Sequence, residues 1–120
     1  MTHSFAPGDD LIFQLESGLG LLRVIAIEGE GTQTVWHLMA YDEFFPDTES
    51  AEQALAKQPF ALPIRNPHMA LTDRAFERTP AARLGNRAVT DDELAAYHRW
   101  RDSDMPKVSD RSALLMLGIR

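Results

Sequence analysis

Cysteine is absent from this 120-residue sequence, which excludes disulfides, Cys-ligated zinc or iron–sulfur centres and thiol nucleophiles. Long apolar runs are absent too. The stretches 19–22 and 113–117 fall far short of the roughly 20 residues that span a bilayer, so no membrane partner is expected. The opening ten residues carry no basic segment followed by an apolar one. They therefore do not read as a secretory signal, and a cytoplasmic protein is expected. Internal repeats and low-complexity tracts are missing. So are His-x-x-x-His spacing, a Gly-x-Ser-x-Gly elbow and a Gly-x-x-x-x-Gly-Lys phosphate loop. No metal site, no cofactor and no catalytic constellation is expected.

What remains is the composition of a globular chain. With 44% hydrophobic and 25% charged residues, it can bury a core without metal or disulfide staples, and one domain over 1–120 is the expectation. The net charge of −6 is unevenly placed. Residues 1–60 hold ten acidic side chains against Arg23 and Lys57, whereas residues 61–120 hold ten basic against eight acidic. An acidic N-terminal half repels phosphate backbones and attracts cationic surfaces.

The fold is expected to be α+β. Pro7-Gly8-Asp9 is a turn signal ahead of a strand at 11–15, and Gly18 and Gly20 mark a hairpin into a second strand at 21–27. A Gly-rich turn at 28–32 leads to a third strand at 34–41, in which Val35, His37, Met39 and Tyr41 alternate with Thr34, Trp36, Leu38 and Ala40. A meander this short is expected to curl into an SH3-like small barrel over residues 1–46. Residues 47–120 then supply two or three helices and short strands. Thr48 is expected to cap a helix stopped by Pro59, and Pro63 and Pro67 favour extended or edge chain over 60–71. A helical turn near 75–78 and a Gly85-Asn86 turn follow. Thr90-Asp91-Asp92-Glu93 is a capping box that starts a helix carrying Leu94, Tyr97, His98 and Arg101, and the apolar tail 113–117 is expected to be a buried strand or short capped helix.

Few residues qualify as functional. His37 sits mid-strand and reads as a structural histidine, whereas His68, between Pro67 and Met69, is the better candidate for neutral-pH chemistry, though with no obvious relay partner. Asp42, Glu43, Phe44, Phe45 and Asp47 form a dense acidic-aromatic cluster. Its phenylalanines either plug the end of a barrel or anchor a basic partner inside an acidic rim. The arginines of the second half interleave with Asp and Glu, so by charge nucleic acid is not expected as a partner.

The pattern Pro7-Gly8-Asp9, a strand at 11–15, Gly18 and Gly20, then Leu22-Arg23-Val24 resembles the barrel-type immunity proteins of bacterial toxin systems, with Leu22 where a glycine is usual. The resemblance spans about the first 45 residues. It implies a non-enzymatic module that captures a basic protein through Asp42, Glu43, Phe44, Phe45 and Asp47. The same Gly-Asp start is similar to small-barrel endoribonuclease toxins, which would give Arg23 a functional role. The chain departs from them in lacking an Arg-Pro pair after the second strand and in its acidic N-terminal half. A third reading is a homo-oligomeric structural subunit paired through the apolar tail or an open sheet edge.

Overall fold

The protein is described here from a computed structural model, covering residues 4–57 and 61–119. The expected helix stop at Pro59 lies outside the described residues. The chain is α+β: five antiparallel strands in the order β4-β3-β2-β1-β5, with helices on both faces. β1 (Asp9–Leu15) and β2 (Gly18–Glu28) form the expected hairpin, and a short 3-10 turn (Gly31–Gln33) leads into β3 (Val35–Tyr41). Next come α1 (Thr48–Lys57), β4 (Ile64–Thr72), α2 (Asp73–Glu77), β5 (Ala81–Asn86), α3 (Asp91–Arg101) and α4 (Ala113–Leu117).

The sheet is open, with β4 and β5 at its two edges. The three-strand meander does not close on itself as an SH3-like barrel would. Residues 81–86, expected as chain running into a Gly85-Asn86 turn, instead pair antiparallel with β1, while β4 pairs with β3. The meander is thus extended on both sides, and helices bury both of its faces. The outer side of β4 is covered in part by chain from the C-terminal segment, where Ser109 donates its amide to the Ala70 carbonyl and accepts from the Thr72 amide.

Period-two alternation sorts the strand residues between the faces. One face carries Leu11, Phe13, Leu22, Val24, Trp36, Leu38, Met69 and Leu71, packed with Ala75 and Phe76 of α2 and Ala113 and Leu117 of α4. This core is apolar, and it explains why the apolar tail is buried. Ser112 caps α4 by accepting from the Leu115 amide, and Gly118 ends it at φ +68°. The other face carries Ile12, Leu21, Ile25, Met39 and Tyr41 beneath Ala51 and Leu55 of α1 and Tyr97 of α3. Asp10, Arg23, His37 and His68 belong to this second face. The helix start at 48 is held by Asp47, whose carboxylate accepts the Ser50 amide at 2.7 Å, and not by Thr48 as expected. That contact holds the Asp47 carboxyl below its usual range.

Candidate functional site

The second face becomes polar where α3 crosses it. α3 begins with the expected capping box: Thr90 Oγ1 accepts the Glu93 amide at 3.2 Å and Glu93 Oε1 accepts the Thr90 amide at 3.0 Å. Glu93 does more than cap. Arg23, projecting from β2 and 0% exposed, donates Nε to Glu93 Oε2 at 2.5 Å and Nη2 to Oε1 at 3.1 Å. Its other donors go to the Gly8, Arg87 and Ala88 carbonyls and to Asp10 Oδ1 at 3.4 Å. A buried guanidinium is tolerable only when its fork is filled in this way. Burial pushes the Glu93 carboxyl up, but bonds from Arg23 and Thr90 outweigh it and hold the carboxyl below its ordinary range. Asp10 also accepts from Arg87 Nε at 2.9 Å and from the Tyr41 hydroxyl at 3.2 Å. Burial, then the Asp10 charge, pushes the Tyr41 phenol well up. Arg23 is therefore committed to the interior, with no donor left for a substrate.

A second polar node lies under the C-terminal half of α3. His37 on β3 is fully buried, with Nε2 2.5 Å from Glu28 Oε1 and Nδ1 2.9 Å from His68 Nε2 on β4. The two imidazole planes lie 18° apart with centroids 5.1 Å apart, so the rings are nearly coplanar and joined end to end through that nitrogen pair. Tyr97 and Trp100 of α3 set their rings edge-on to His37 at 4.6 and 4.7 Å. Burial lowers the His37 pKa against the opposing pull of Glu28, and it lowers His68 to about 4, helped by the neighbouring His37. His68 does have a relay partner. It is His37, brought near because β4 pairs with β3 so that His37 faces Ala70, two residues along from His68 on the same face.

Between the nodes is a cleft of about 370 Å³. Its walls are Met39, Tyr41, Leu62, Ile64 and Pro67 on the sheet side and Thr90, Asp92, Glu93, Ala96 and Arg99 on the α3 side. α3 is anchored at Glu93 by the Arg23 fork and at Tyr97 and Trp100 by the His37 ring, and between them it turns Ala96 and Arg99 toward the cleft. Concave, mostly apolar sites with a few polar groups are the usual form of a binding pocket.

The five acidic-aromatic residues are placed differently from one another. Phe45 is 8% exposed and packs with Ile12, Leu21 and Met39, and its backbone pairs with Leu19 in both directions. Asp47 caps α1. Asp42 and Phe44 remain at the surface, Phe44 at 42% exposure, with Glu43 half-buried beside them. Asp42 accepts from Arg65 Nη1 at 2.8 Å, and its amide donates to the Pro63 carbonyl. That bond ties the segment to the 62–64 chain lining the cleft. Leu62 lines both the cleft and an adjoining hollow bounded by Glu43 and Lys57.

Residue types alone do not reveal Asp10, Glu28, Arg87, Tyr97 or Trp100 as parts of these nodes. The one signal for them is strand alternation, which puts His37, Met39 and Tyr41 on a common face. Among the described residues no group of histidine and acidic side chains forms a metal site, and no helix is long and apolar enough to cross a membrane. Compared with protein-family models, curated proteins and solved structures, the chain finds no match.

Proposed function

We propose that this chain is a non-enzymatic protein-binding module that receives an apolar side chain of a basic protein partner in the cleft beneath α3. The observation that carries this reading is the adjacency of the cleft to the acidic loop after β3. Apolar walls at Met39, Leu62, Ile64 and Pro67 open beside Asp42, whose amide bonds the Pro63 carbonyl, and Glu43, which shares the hollow at Leu62, with the exposed Phe44 next in sequence. Ile64 is 52% exposed at the mouth. Interfaces concentrate their binding energy in a desolvated apolar anchor ringed by polar groups, and opposite charge at the rim speeds encounter. A segment with one bulky apolar residue flanked by lysine or arginine fits both features. The endoribonuclease-like alternative fits less well, because it needs Arg23 at a surface and every Arg23 nitrogen is engaged inside.

The test is affinity capture with the folded protein at low and high salt, run beside three variants. Asp42→Lys with Glu43→Lys removes the acidic rim, Ala96→Leu narrows the cleft, and Glu30→Lys alters an exposed acid in the turn at the opposite end of β3. A basic protein released by salt, kept by Glu30→Lys and lost by the other two, supports the proposal. Capture that survives both cleft-side changes while the variants melt normally overturns it.

A further inference from the structure

From the Glu28–His37–His68 chain beneath α3, we infer a protonation-controlled latch that holds the C-terminal half of that helix on the sheet at neutral pH and releases it in mild acid. The latch stands on geometry and chemistry within one chain. Its consequence for binding rests on the cleft reading above, because α3 forms one wall of that cleft.

The proton positions follow from the partners. Glu28 offers only acceptor oxygens as a carboxylate, so His37 Nε2 carries the proton and donates to it across 2.5 Å. A neutral His37 then has a bare Nδ1, and His68 must donate Nε2–H to it across 2.9 Å. Both rings are neutral in this arrangement, and every nitrogen between Glu28 and the His68 Nδ1 is satisfied by one consistent set of protons. The first added proton goes to the remaining lone pair, His68 Nδ1, and places a cation on a half-buried ring beside Tyr97 and Trp100. A second proton has only His37 Nδ1 to occupy, where its N–H points at the His68 N–H. That contact is repulsive, and the pairing of the two rings cannot survive it.

The surrounding groups decide which way the pair responds. From β2, Glu28 favours the charged form. From α3, Tyr97 and Trp100 cover the pair, Tyr97 hydrogen-bonds with Glu28, and Arg101 lies 5.6 Å over the Tyr97 ring as a like charge. Burial outweighs Glu28, and both histidines are held below their ordinary value, His68 at about 4. Protonation below about pH 6.5 therefore favours the arrangement in which the pair meets water. α3 is the element covering it. Tyr97 and Trp100 are the helix's ring contacts with this node, so it is the 97–101 end that lifts, while the Arg23–Glu93 fork keeps the N-terminal end in place.

The experiment is amide hydrogen exchange followed residue by residue on the isolated protein, with no partner present. Between about pH 7.5 and about pH 5, protection at 97–101, corrected for intrinsic rates, is expected to fall at least about tenfold while β3 amides hold theirs. His68→Gln keeps a donor for His37 Nδ1 without a titrating ring at that position and should reduce the fall to the part His37 contributes. Glu28→Gln removes the group that favours charge in the closed form, lowers the closed-form pKa further and should deepen the fall over the same window. His98→Gln, on the exposed side of the same helix, should leave it unchanged. An unchanged fall in His68→Gln, or equal loss in α3 and β3, overturns the latch. Failure of the binding proposal would leave all of these exchange results in place.

Discussion

Glu93 is at once the capping carboxylate of α3 and the counterion of Arg23, which reaches it from β2 through Nε and Nη2 at 2.5 and 3.1 Å. Seventy residues of sequence separate the two. A local helix-start signal is thereby made into a long-range tie between the first hairpin and the last long helix. Removing the carboxylate leaves a fully buried guanidinium with Asp10 as its one remaining anionic partner. Glu93→Ala is expected to cost about 3–5 kcal/mol, the range for breaking a buried pair by deleting one member. Thr90→Ala removes only a cap and should cost about 1 kcal/mol. Chemical denaturation of the two variants distinguishes these roles. Equal, small losses would mean that the fork contributes little to docking α3.

Gly8 accepts Arg23 Nη1 and the Arg87 amide on its carbonyl while donating its own amide to Val24. It does so at φ +95°, and a Cβ there would meet the Arg87 carbonyl oxygen at 2.3 Å. Backbone of that kind costs of order 1–3 kcal/mol for a side chain even without a clash. Gly8→Ala is therefore expected to lower stability by more than about 2 kcal/mol and to loosen β5, whose end is tied to the same turn. The measurement is the urea midpoint, together with exchange of the β5 amides. A variant as stable as the parent would show that this turn relaxes freely.

The elements that were legible in the sequence are those with local causes. Turn glycines and alternating residues place β1, β2 and β3, and the Thr90–Glu93 box places the start of α3. The Pro63 and Pro67 region becomes the edge strand β4, as proline requires. What was not legible depends on pairing between distant segments. β5 is six residues with no buried member and becomes a strand only because β1 offers it an edge. Closure into a barrel was expected from the meander alone, and the added strand and the helices on both faces leave it no reason to close. The candidate site was half legible. His68 stood out as a loop-like histidine, but its partner was visible only through the β3–β4 register. Arg23 stood out as the lone arginine of the first strands, and nothing near it in sequence announced Glu93.

The pH dependence of global stability has a definite sign. His68 falls from an ordinary 6.5 to about 4 on folding, so between those values the unfolded chain binds more protons than the folded one. Stability from this group is complete above about pH 6.5 and declines as the pH falls toward 4. His37, lowered by burial, acts in the same direction. Urea midpoints taken across that window should fall with acid, and the slope should be smaller in His68→Gln. A midpoint that rises on acidification would contradict the neutral, hydrogen-bonded arrangement of the two rings.

Phe44 and Phe45 are adjacent in sequence and opposite in consequence. Phe45 is 8% exposed in the second-face core, and its backbone is pinned to Leu19. Phe45→Ala is expected to cost about 3–5 kcal/mol, as for other buried aromatic truncations. Phe44 is 42% exposed, so Phe44→Ala should change stability by less than about 0.5 kcal/mol. If Phe44 is an anchor for a partner, the same change should weaken capture by tenfold or more, the loss that deleting a well-buried interface aromatic brings. Thermal melts and capture measured side by side on the two variants separate core from surface. Loss of capture in Phe44→Ala with an unchanged melt assigns the exposed ring to recognition. Unchanged capture would leave the apolar walls at Leu62 and Ile64 as the contact surface and remove Phe44 from it.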